Sequence, residues 1–73
     1  MRPPSFTPKH LIRVFRRAGF VVDHQTGSHV ALSHPDGRRT VIAVHPRELK
    51  RGTLVGIMKQ AGYTVEDFLE LLR

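Results

Sequence analysis

The stretch Ser28-His29-Val30-Ala31-Leu32-Ser33-His34-Pro35-Asp36-Gly37-Arg38-Arg39-Thr40-Val41-Ile42-Ala43-Val44 decides the fold. Val30 and Leu32 alternate with His29, Ala31 and Ser33, the two-residue period of a strand with one face buried. Arg39 to Val44 reads as the returning strand. Between the two, proline sets φ, aspartate follows, and glycine accepts a positive φ, which suits a three-residue hairpin loop. Residue 34 then pairs with 38, so Val30 faces Ile42, Leu32 faces Thr40, and Ser28 faces Val44. A two-residue loop would set core positions against the open face, which register rules oppose. On that open face His29 lies opposite Ala43, Ala31 opposite Val41, and Ser33 opposite Arg39. His45 falls diagonal to His29, roughly 7–8 Å away by backbone spacing.

Towards the N-terminus, Phe20-Val21-Val22 starts a further short strand, and Gly27 marks the turn into the hairpin. Before it, Thr7-Pro8 reads as a helix N-cap with proline at the first helical position. Leu11, Val14, Phe15 and Ala18 form one apolar stripe, with Gly19 at the expected C-cap. Lys9, Arg13, Arg16 and Arg17 lie off the stripe, so this helix is amphipathic and basic. The proline-rich start, residues 1–6, is the one segment expected to be flexible.

Towards the C-terminus, a basic loop with Arg47, Lys50 and Arg51 leads to a helix beginning near Gly52-Thr53. Leu54, Ile57, Met58 and Ala61 carry its stripe, and Gly62 ends it. Thr64-Val65-Glu66-Asp67 resembles a capping box, opening a short last helix with Val65, Phe68, Leu69 and Leu72 on one side. The expected fold is α+β, in the order α-β-β-β-α-α, with helices on one face of a three-stranded antiparallel sheet. The other face stays open and carries His29.

A chain of 73 residues makes one domain, 1–73, with a simple core shared by every element. The absence of cysteine excludes disulfides, thiolate metal sites and cysteine nucleophiles, and fits a reducing cytoplasm. No apolar run approaches the roughly 20 residues that span a bilayer, so no membrane association is expected. Residues 1–63 hold eleven Lys and Arg against Asp23, Asp36 and Glu48; residues 64–73 hold three acids against Arg73. A polyanion would meet the basic portion and avoid the tail. Nucleic acid fits, because neutralised phosphates release counterions on binding. Charge kept only for solubility is the plainer alternative.

Five histidines invite a metal site, but His24, His29 and His34 are spaced by five, which suits neither a helix face nor a strand face, and no metal is expected. Proton transfer suits histidine better. RNA carries its own nucleophile, the 2′-hydroxyl, so its cleavage needs a proton acceptor, a proton donor and positive charge on the phosphate. His29 on an open strand face meets that need, though a histidine there can equally be a solvated polar residue.

The order of motifs weighs between these readings. Gly27-Ser28-His29, then His45, then Glu48-Leu49-Lys50-Arg51-Gly52-Thr53-Leu54, then Ile57-Met58-Lys59-Gln60-Ala61-Gly62, with Ala18-Gly19-Phe20 closing the first helix, resembles the HicA family of mRNA interferase toxins over nearly the whole chain. The resemblance implies a fold like that of double-stranded-RNA-binding domains and a catalytic histidine, here His29. It also implies metal-independent cleavage of mRNA in a prokaryotic cytoplasm, no cofactor, and neutralisation by a cognate HicB-type antitoxin. Two positions depart from the family pattern. Val30 stands where many relatives have a second histidine, and Ala43 stands where many have proline, so the third strand is expected to run longer or end less sharply.

Around His29, Ser28, Arg39, His45, Lys50 and Arg51 are the candidate RNA contacts. His45 reads either as a second acid–base or phosphate-binding group, or as a loop residue packed locally. Gly52 and Thr53 open a helix whose free N–H groups suit phosphate. Arg13, Arg16 and Arg17 suit RNA and an acidic antitoxin surface equally. His10, His24 and His34 read as surface residues. A non-catalytic double-stranded-RNA-binding module, and a regulatory subunit acting only through a protein partner, share the same charge and element order.

Overall fold

The computed structural model describes residues 6–72. Its elements run α1 (Pro8–Arg17), β1 (Val21–Thr26), β2 (His29–Ser33), β3 (Arg39–Ala43), α2 (Arg51–Gln60) and α3 (Val65–Leu71). The strands form one antiparallel sheet in the order β1-β2-β3. This is the α+β arrangement that the periodicities predict.

The hairpin register is the predicted one at every rung. His29 pairs with Ala43, Val30 with Ile42, Ala31 with Val41, Leu32 with Thr40 and Ser33 with Arg39. Gly37 takes φ +98°, and the His34 N–H to Arg38 carbonyl bond of 2.9 Å closes the loop. β3 ends at Ala43, yet the Val44 N–H still donates to the Ser28 carbonyl, so one ladder bond outlasts the strand.

β1 is longer than its apolar start suggests, and a bulge interrupts it. Val22 pairs with Leu32 while His24 pairs with Ala31, leaving Asp23 as the extra residue. The extra residue reverses the alternation, so side chains after Asp23 take the opposite face from the one a regular strand would give them. Thr26 ends β1 directly opposite His29, and Gly27 at φ +59° makes the tight turn between them.

Leu11, Val14, Phe15, Phe20, Val30, Leu32, Ile42, Ile57, Met58, Ala61 and Phe68 are buried in one cluster between sheet and helices. Phe6 belongs to it as well, at 5% exposure, with its carbonyl accepting from the Leu49 N–H at 2.7 Å. Phe6, expected to be flexible, is instead packed in the core, because burying a phenyl ring outweighs the disorder of one residue. Residues 1–5 lie outside the described residues. The opposite sheet face remains open, with Val21 and Val41 about half exposed.

Caps follow the sequence. Thr7 Oγ1 accepts from the His10 N–H, and Thr64 and Asp67 complete a reciprocal capping box at α3. α2 starts at Arg51, a turn's fraction before the expected Gly52-Thr53, with Lys50 as N-cap.

Two ties hold the helices to the hairpin. Gln60 Oε1 accepts from the buried Thr40 hydroxyl at 2.9 Å and from the Val41 N–H at 3.2 Å, joining α2 to the outer edge of β3. Gln60→Ala strips both donors of that partner and is expected to cost about 1–3 kcal/mol. Chemical denaturation reads this directly, and an unchanged midpoint would show that the bonds contribute nothing.

The second tie is Arg38. Its guanidinium carbon stands 5.3 Å from the Phe20 ring centre and 4.9 Å from that of Tyr63, and its Nη1 donates to the Ala61 carbonyl at 3.2 Å. Its Nε donates to Asp36 at 2.8 Å. Desolvation opposes ionisation of Asp36, but the Arg38 backbone N–H and guanidinium outweigh it and hold the carboxyl below its ordinary value. His34 joins the same corner. Its ring meets Phe20 edge-on at 5.1 Å and its Nδ1 lies 3.0 Å from Asp36, so it is a packed residue rather than a surface one.

Candidate active site

His29 is the first residue of β2, exposed on the open face. Its place follows from the Gly27 turn before it and from the buried alternation of Val30 and Leu32 after it. Val30, at 5% exposure, points into the core, as the register requires. Thr26 and Ala43 flank His29 on the neighbouring strands. The residue is exposed, and among the described residues no hydrogen bond engages its ring.

Ser28 is exposed in the turn beside it, with its carbonyl committed to Val44. That bond brings His45, the next residue, close to the start of β2. His45, Arg47, Glu48, Leu49, Lys50 and Thr53 line an open groove of about 560 Å³. His29 is not part of its lining. Lys50 and Arg51 occupy the N-cap and first position of α2, at the end where a helix leaves its first backbone N–H groups free. Among the described residues neither cation forms an ion pair. The β3 exit thus meets the β2 start at one corner, with Ser28, His29 and His45, and His45 shares the groove lining with Lys50.

Arg39 is not in that corner. It pairs with Ser33, four residues along β2 from His29, or roughly 13 Å at strand rise. Its Nη2 donates to Asp23 at 2.8 Å. Arg39 therefore serves the bulge of β1, not the neighbourhood of His29.

His24, read from the sequence as a surface residue, is exposed on β1. The bulge places it opposite Ala31, on the same face as His29, and its Nε2 lies 2.6 Å from Thr26 Oγ1. His10 is exposed on α1, its ring 4.8 Å from that of Phe6. Among the described residues no three His, Asp or Glu side chains group to hold a metal ion, and no helix is long and apolar enough to cross a membrane.

Comparison with protein families finds a match over residues 8–63, to the family described as the HicA toxin of bacterial toxin–antitoxin systems. No curated protein matches the chain.

Proposed function

Because the chain belongs to the HicA toxin family, we propose that it is the RNA-cleaving toxin of a toxin–antitoxin pair, an endoribonuclease that cuts mRNA through the ribose 2′-hydroxyl with His29 in proton transfer. The observation carrying this reading is an exposed imidazole on the open sheet face of a basic chain of this family. The 2′-hydroxyl attacks the adjacent phosphorus, and the strand is released with a cyclic phosphate on one side and a 5′-hydroxyl on the other. Lys50, Arg51 and the free N–H groups of α2 bind phosphate oxygens and offset the charge that grows on them. His45, in the groove beside them, adds a further contact. Neither cofactor nor metal enters this chemistry, because the substrate supplies its own nucleophile.

Membership in the family implies an antitoxin partner. We assign that role to a HicB-type protein, acting in the bacterial cytoplasm where mRNA is met. The whole chain, 1–73, acts as one domain in this reading.

The test is incubation of the purified chain with a structured mRNA, with and without excess EDTA. The expected result is cleavage at equal rates in both, leaving 2′,3′-cyclic phosphate and 5′-hydroxyl ends. Tight RNA binding with no cleavage would instead assign a non-catalytic RNA-binding module. Cleavage abolished by EDTA would remove the metal-independent mechanism.

A further inference from the structure

Transesterification needs two proton transfers, one from the attacking 2′-hydroxyl and one to the departing 5′-oxygen, and His29 alone supplies one of them. Building on the nuclease reading above, we propose that His24 is a second catalytic residue, the acid that protonates the leaving oxygen while His29 is the base.

The geometry rests on the bulge. In a regular strand, Val22 opposite the buried Leu32 would put His24 opposite the buried Val30, on the core face. The extra residue, Asp23, moves His24 opposite Ala31 and so onto the open face with His29. Bulges re-aim side chains in this way. Arg39, reaching Asp23 from β3 at 2.8 Å, pins the bulge from across the sheet.

Thr26 links the two histidines. It is the direct cross-strand partner of His29, and its Oγ1 contacts His24 Nε2 at 2.6 Å. In the His24 imidazolium both ring nitrogens carry protons, so Nε2–H donates to the Thr26 hydroxyl oxygen and the Nδ1 proton stays unengaged. Nδ1–H is then the donor offered to a ligand. His24 stands diagonal to His29 on the adjacent strand, a separation of roughly 7–8 Å between backbones. That accommodates a phosphate with a hydrogen bond of about 2.7–2.8 Å on each side. The charged and titratable neighbours on this face are Asp23 and Arg39, which pair with each other, His29 itself, and His45 beyond the end of β3.

The step balances. Neutral His29 takes the 2′-hydroxyl proton as O2′ bonds to phosphorus. The P–O5′ bond breaks with its electron pair on O5′, which takes the Nδ1 proton of the His24 imidazolium. The products are a 2′,3′-cyclic phosphate and a free 5′-hydroxyl. Proton exchange with water returns His29 to the neutral and His24 to the charged form.

The experiment compares wild type, His24→Gln, His45→Gln and His29→Gln on two substrates: an oligoribonucleotide, and a nucleoside 3′-(4-nitrophenyl) phosphate, whose leaving group departs without a proton. All three substituted positions are solvent-exposed, and thermal melts confirm folding. The expected result is that His24→Gln loses about 100-fold or more on the oligonucleotide. It also loses the alkaline fall of the pH–rate profile, and works near wild-type rate on the activated ester. His29→Gln fails on both. Wild-type cleavage of RNA by His24→Gln overturns the proposal and leaves the nuclease reading standing. Equal losses on both substrates overturn the acid role, and rescue of His45→Gln alone transfers it to His45. A wild-type chain that cuts no RNA overturns proposal and reading together.

Discussion

His29→Ala is expected to lower RNA cleavage by about 10²–10⁴-fold, the range that a positioned acid or base supplies. The melting temperature is expected to stay close to wild type. The side chain is exposed at the first position of β2, among the described residues it makes no hydrogen bond, and the backbone ladder to Thr26 and Ala43 does not depend on it. Exposed substitutions of this kind usually change stability by no more than about 0.5 kcal/mol. Loss of activity with retention of fold is therefore the signature of the assigned role. The measurement pairs a cleavage time course with a thermal melt, and expression in a bacterial host reports growth arrest alongside. A folded variant that cuts RNA at the wild-type rate removes His29 from the chemistry and leaves His24 or His45 to be examined in its place. Acid and base act as a unit, so the double variant His24→Gln/His29→Ala is expected to be little worse than His29→Ala alone.

The hairpin was legible in the sequence for a physical reason. Two-residue alternation states which face each side chain takes, and Pro35-Asp36-Gly37 admits one loop length, so the rungs from His29 to Ser33 follow. That reasoning also reached Val30 in the core and His29 on the open face. β1 carries no such signal. All six of its residues are exposed, so its pattern has no buried side to read, and the Asp23 bulge leaves no mark in composition. His24 is exposed, as the sequence reading has it, but its place on the same face as His29 depends on that bulge. The site charges were half legible. Lys50 and Arg51 stand at a helix start, as expected, whereas Arg39 lies opposite Ser33, where the register puts it, and pairs with Asp23. Its partner Asp23 is sixteen residues away in sequence, and only the bulge brings the two together. His34 and Arg38 read as turn residues, because ring packing on Phe20 and Tyr63 depends on where α2 ends, which a turn motif does not encode.

Phe15→Ala is expected to unfold the chain. Phe15 is fully buried on α1, and its ring centre lies 5.2 Å from Phe20, 5.9 Å from Tyr63 and 6.1 Å from Phe68. These three partners stand before β1, after α2 and within α3, so one ring joins segments far apart in the chain. Removing a buried phenyl ring costs about 3–5 kcal/mol, made of lost transfer energy and the cavity left behind. A core of this size supplies no more than about 3–5 kcal/mol of net stability in total. The two figures are equal, so the folded population falls to about half or below at ordinary temperature. Neighbouring side chains have little room to relax into the gap, because the rings around it also hold Arg38 and the β2–β3 turn in place. Far-UV circular dichroism with a denaturant titration measures the outcome, and the expected trace has no cooperative transition. Phe15→Leu leaves a smaller void and is expected to keep a reduced but cooperative one. A Phe15→Ala chain that melts cooperatively within about 1 kcal/mol of wild type would mean that the sheet carries the fold without this cluster. The contrast with His29→Ala then separates the two ways of silencing the chain, since one variant loses activity with its fold and the other loses activity alone.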